Sequence, residues 1–155
     1  MKRRILVFAV AALAALTVTG VALAAVNFHN VVFNDNGTTL TVSGKLTGLG
    51  NGDVLVTVSA SAIPTATCTN KGGNQAPGQN PATVDVTGAS SIPAAEIKNG
   101  QTPFSVTTSE PATPSATDAG CPNGKWTAEI TDLLFTSFTV TVSQGGVVVG
   151  TYTGP

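Results

Sequence analysis

The chain has 155 residues, 10% of them charged and 42% hydrophobic, with a formal net charge of −1. Three of its seven cations (Lys2, Arg3, Arg4) crowd the first four residues, so residues 25–155 keep four lysines, no arginine and all eight carboxylates, a formal charge of −4. This balance argues against nucleic acid as a partner, because such binding draws on Lys and Arg neutralising phosphates, and against anionic membranes and bidentate phosphate sites.

The first element is a leader. Met1 to Arg4 form a positive n-region, Ile5 to Leu16 an apolar core, and Ala22-Leu23-Ala24 sets small residues at −3 and −1 of a cleavage site. This pattern predicts a signal peptide over 1–24, cut between Ala24 and Ala25. Thr17, Thr19 and Gly20 interrupt the apolar run, which favours a leader over a membrane span of about 20 residues. No cysteine follows the cleavage site and no hydrophobic tail closes the sequence, so the expected product is secreted, extracellular and without a membrane anchor. Removing 24 of 155 residues leaves 131, enough for a single domain over 25–155 that buries about two-thirds of its unfolded surface.

Beyond the leader, apolar and polar residues alternate at period two, the signature of half-buried strands. A first strand is expected near 26–33, closed by Asp35-Asn36-Gly37, since Asn-Gly tolerates the positive φ of a tight hairpin. A second at 38–47 carries Leu40, Val42 and Leu46 on one face, and a third at 53–62 carries Val54, Val56 and Val58. A shorter run, 82–87, alternates around Asp85. Ala94 to Lys98 follows Pro93 and is too short to be more than a helical turn. Strands at 102–109, 125–131 and 137–143 follow, and Gln144-Gly145-Gly146 turns the chain into a last one at 146–153. Eight short β-branched strands predict an all-β fold, a two-sheet immunoglobulin-like sandwich, with a small β-barrel as the alternative.

Two stretches read as long loops, Pro64 to Pro81 and Glu110 to Gly124, each with one cysteine. In an exported chain the even count pairs Cys68 with Cys121 in a loop-to-loop disulfide, worth roughly 4 kcal/mol through the entropy of the unfolded chain. Neither cysteine has a Cys or His neighbour in sequence, so zinc is not expected. The tied loops offer Asn70, Lys71, Gln75 and Asn80, and from the second loop Asp118 and Asn123, as candidate binding residues.

The run Cys68-Thr69-Asn70-Lys71-Gly72-Gly73-Asn74-Gln75-Ala76-Pro77-Gly78-Gln79-Asn80 resembles segments of uncharacterised small secreted bacterial β-sandwich proteins. Ile92 to Gly100 and Cys121 to Thr127 extend the likeness over most of residues 25–155. The resemblance implies export and a sandwich fold, and it implies no activity.

Chemistry-bearing residues are few. His29, the sole histidine, sits on the first strand beside Phe28 and reads as a solvent-face residue rather than a general base. There is no Gly-x-Ser-x-Gly elbow, and the carboxylates are single and scattered, so the sequence pairs no two of them for glycoside chemistry. Asn34-Asp35-Asn36-Gly37 lacks the acidic frame and closing Glu of a calcium loop and is read as a turn. Trp126, in phase with Ala128 and Ile130, is placed on the core face; Tyr152, out of phase with Val147 and Val149, is placed outside with Val148 as a candidate association strand. No catalytic residue, metal or cofactor is expected. The expectation is a secreted non-enzymatic module, structural or adhesive, acting through a protein partner or self-association. The alternative is a loop-presenting binding protein with a carbohydrate or a target enzyme as ligand.

Overall fold

The computed structural model describes residues 25–155; the leader expected at 1–24, with Ala24 of its cleavage site, lies outside the described residues. In chain order the elements are β1 (Asn27–Asp35), β2 (Leu40–Thr47), β3 (Val54–Thr69), β4 (Gln75–Pro77), β5 (Val84–Ile92), a 3-10 turn (Ala94–Glu96), β6 (Gln101–Thr107), β7 (Thr127–Gln144) and β8 (Val147–Gly154). β1, β2 and β6 make a three-stranded sheet in that spatial order. In the five-stranded sheet β3 lies between β7 on one side and β5, then β4, on the other, with β8 beyond β7. All these pairings are antiparallel. The result is an all-β, two-sheet, immunoglobulin-like sandwich.

The alternation read from the sequence fills the space between the sheets. Leu40, Val42 and Leu46 of β2 and Phe104 and Val106 of β6 meet Val54, Val56 and Val58 of β3 and Val140 and Val142 of β7, all buried. The turns follow their chemistry. Gly37 takes φ 87° in the β1–β2 hairpin, with its N–H donating to Asp35 Oδ1 at 2.9 Å, and Gly145 and Gly146 take φ 61° and 81° between β7 and β8. Among the described residues no helix is long and apolar enough to cross a membrane.

Several boundaries differ from the expected ones. The strand expected at 82–87 is β5, which runs from Val84 to Ile92. β3 runs on to Thr69, so the first third of the stretch expected as a loop is strand, with Ala62, Pro64, Ala66 and Cys68 continuing the buried face. Pro64, which lacks an N–H and reads as a strand breaker, falls where β3 has a neighbour on one side only. β5 pairs as far as Ala62 and β4 begins at Thr67. The strands expected at 125–131 and 137–143 are one 18-residue strand, β7. Two bulges, at Thr131 and Thr136, shift its phase and break the alternation in sequence. Each bulged threonine turns its hydroxyl onto β3: Thr131 Oγ1 donates to Thr65 O at 3.2 Å and Thr136 Oγ1 to Ser61 O at 3.1 Å. The short β4 was not expected at all; it pairs with Thr67–Thr69.

Cys68 and Cys121 form the disulfide, with Cα atoms 5.6 Å apart. It joins a strand to a loop, not a loop to a loop, because Cys68 belongs to β3 and is fully buried. It closes a distinct arm, in which Ala66–Thr69 of β3 pair with Thr127–Ile130 of β7 on one side and Thr67–Thr69 pair with β4 on the other. The arm has its own small cluster, Ala66, Ala119 and Ala128, with Cys121 packed against it.

Candidate functional site

Register along β3 lays out the outer face of the five-stranded sheet row by row. One row reads Ser91, Leu55, Ser143, Val148; the next Ala89, Thr57, Thr141, Thr151; the next Thr87, Ser59, Thr139, Thr153; and then Asp85, Ser61, Ser137. The centre of this face is hydroxyl, with Asp85 as its charge, held by a hydrogen bond from Ser61 Oγ. Apolar side chains bound it at both ends. Leu55 is 44% and Val148 57% exposed at one end, and the cross-strand pair Ile63 and Leu134 is 45% and 63% exposed at the other.

β8 departs from its expected facing. Val142 pairs with Gly150 and Ser143 with Val148, so Val149 is a bulged extra residue. After the bulge Tyr152 stands opposite buried Val140, and its ring packs 5.7 Å from that of Phe28 and 6.2 Å from that of Phe138. Tyr152 is therefore not the exposed ring of an association strand, and Val147, expected inside, is 50% exposed. Val149 packs on the core, and its carbonyl accepts the Val26 N–H at 3.0 Å, which covers the middle of the β8 edge.

Of the candidate loop residues, Asn70, Lys71 and Asn123 come together. With Gly72, Lys125 and Trp126 they line a shallow depression of about 310 Å³ at the tip of the arm. Trp126 is half-buried against this turn rather than in the sandwich core, because β7 starts one residue after it and both bulges lie between it and the body. Gln75 opens β4 opposite Thr69 and is exposed. Asp118 and Asn80 lie apart from the depression. Asp118 accepts the Ser115 hydroxyl at 2.6 Å within its own turn, and Asn80, at φ 48°, follows Gln79, whose N–H donates to Gly120 O at 3.0 Å.

A second depression, about 460 Å³, gathers Glu110 and Glu129 with Thr38, Thr113, Ile130 and Thr131, and both carboxylates are in exposed residues. The sequence, with the two 19 positions apart on different elements, had no signal to pair them. The hydroxyl face is different: the alternation already puts Thr and Ser on the wet sides of these strands, and only the order of the strands in the sheet lies beyond the sequence. His29 lies on the outer side of the small sheet, exposed, with Nε2 3.0 Å from Thr47 Oγ1. No group of three or more His, Cys, Asp or Glu side chains able to hold a metal ion occurs among the described residues.

No family model and no curated protein matches the chain. Among solved structures it is similar to part of a beta-glucuronidase from glycoside hydrolase family 2, at 13% identity and a TM-score of 0.30, over 84% of this chain and 11% of that one.

Proposed function

We propose that this chain is a secreted, non-enzymatic module, structural or adhesive, that works through protein contacts at or outside the cell surface. The observation that carries the reading is the hydroxyl face of the five-stranded sheet, bounded by exposed Leu55, Val148, Ile63 and Leu134. Contact across such a face removes little charge from water, and the apolar side chains at its ends supply area to bury. The Val147–Val148 start of β8, at the edge of the sheet, adds a site where another chain can dock. The disulfide and the leader-like residues 1–24 support export, since such bridges persist in oxidising compartments.

Sedimentation velocity at high protein concentration tests the reading. The wild-type protein is expected to associate, and Val148→Lys to shift it toward monomer while changing stability by no more than about 1 kcal/mol. Wild type and variant equally monomeric would overturn the assembly reading. The second reading, a loop-presenting binding protein for carbohydrate or a target enzyme, is favoured by one observation: the disulfide-tied segments place Asn70, Lys71 and Asn123 around one depression.

A further inference from the structure

We propose that the depression at the tip of the arm binds an acidic sugar, a pyranose ring bearing a carboxylate or sulfate. The inference rests on the second reading above and gives it a ligand class; it does not depend on assembly through the sheet face.

The lining is one of donors. Lys71 and Lys125 are two of the four lysines in residues 25–155, both exposed, and they meet here with no acidic residue among the lining groups. The two asparagines have their carboxamide oxygens committed to the backbone. Asn70 Oδ1 accepts the N–H groups of Gly72 at 2.9 Å and Asn74 at 3.0 Å, and Asn123 Oδ1 accepts that of Lys125 at 3.0 Å. Each keeps its NH2 group for a ligand. Ammonium and amide donors call for an acceptor-rich, anionic partner. A neutral sugar brings no charge to meet the two ammonium groups, and the lining has no carboxylate to receive its hydroxyls in their place. Trp126 supplies the other half of the recognition, a partly buried indole whose apolar face suits the C–H face of a pyranose while its edge stays polar.

The site is also built before any ligand arrives. Asn70 closes a turn in which its N–H donates to Asn74 O at 3.0 Å and its carbonyl accepts from Gly73 N at 2.9 Å. The facing segment is fixed to it by the Cys68–Cys121 bridge and by Thr127 Oγ1, which donates to Thr69 O at 3.1 Å. Two loops held in this way lose little freedom on binding, which favours affinity from a small contact.

Trp126 is the only tryptophan, so intrinsic fluorescence of the purified protein reads this site directly. Titrations with oligogalacturonate, a sulfated dextran oligomer, a neutral cello-oligosaccharide and inorganic phosphate separate the possible sources of the anion. A saturable change with an acidic oligomer is expected, weakened by salt, with no change from the neutral sugar. Lys71→Gln with Lys125→Gln should raise the dissociation constant about fivefold or more, and Trp126→Ala should lower affinity by calorimetry while its far-UV spectrum stays that of the wild type. An equal response to phosphate alone would overturn the sugar in favour of a bare anion site. Equal binding of the neutral oligomer would overturn the acidic class and leave the loop-binding reading standing. A change with protein concentration alone, removed by the double lysine variant, would make the occupant a second copy of this chain. No response to any probe would overturn the inference while leaving the sedimentation test of assembly untouched.

Discussion

The body of the sandwich is filled by Leu40, Leu46, Phe104 and a bank of valines, whereas the arm at the far end of β3 and β7 buries Ala66, Ala119 and Ala128. The difference in side-chain size is a difference in what holds each region. Burying a Leu or Phe is worth roughly 1.5–3 kcal/mol, and an alanine contributes far less. The arm compensates with backbone and covalent links. Gly78 N–H donates to Ala66 O at 2.8 Å, Gln79 N–H to Gly120 O at 3.0 Å and Ala82 N–H to Asp118 O at 3.2 Å, and the disulfide joins residues 53 positions apart. The donor-lined depression sits on this stapled region, and the hydroxyl face spans the body. Rigidity at the tip thus comes from the bridge, and rigidity of the face from the core.

Breaking the staple should have the largest effect. Replacing both Cys68 and Cys121 by serine is expected to cost up to about 4 kcal/mol, read as a lower midpoint in chemical denaturation. Because the bridge lies outside the main core, the far-UV spectrum of the folded protein should remain that of a β-sandwich. Loss of that spectrum would show that the body depends on the arm.

Leu46→Ala strikes the other region. Leu46 is fully buried between the sheets, so the cavity should cost about 3 kcal/mol and lower the midpoint of the whole cooperative transition. An unchanged midpoint would mean that the core can collapse around the gap.

Gly120→Ala sharpens the contrast at lower cost. Gly120 has φ 66°, and a Cβ there would overlap the Gln79 carbonyl. The expected loss is about 2 kcal/mol, confined to the arm and visible as faster hydrogen exchange there. Gly73→Ala is its control, since Gly73 also has positive φ, 79°, with nothing within 4 Å of an added Cβ. It should cost only the backbone strain, about 1 kcal/mol. Equal losses would show that the Gln79 contact is not what fixes the loop.

The body was legible in the sequence because its chemistry is repetitive. Val54 to Val58 and Phe138 to Val142 alternate without interruption, and Asn36-Gly37 and Gly145-Gly146 mark the β1–β2 and β7–β8 hairpins. The arm was harder to read because its signals are weak or displaced. Pro64 suggested an end to β3, although it occupies the one-sided stretch between β5 and β4 where its missing N–H is not needed. Thr131 and Thr136 hid the continuity of β7 by adding a residue at each bulge. The same kind of insertion, at Val149, moved Tyr152 from the outside to the aromatic contacts with Phe28 and Phe138. A period-two argument carries no information about where an extra residue enters, so facing fails beyond each bulge. The tip site is half legible: the sequence offers Asn70, Lys71 and Asn123 as binding residues, but the phase of Trp126 with Ala128 and Ile130 places it on the core face, away from its neighbour Lys125.

Residue-resolved NMR spectra of the wild-type protein, recorded at rising concentration, test most directly whether the sheet face is the contact surface. The account predicts shifts that grow with concentration at Leu55, Ser143 and Val148 and at the Ile63–Leu134 end, with Asn70 to Asn74 and Trp126 unchanged. Spectra that do not change with concentration, or changes centred on the arm tip, would contradict it.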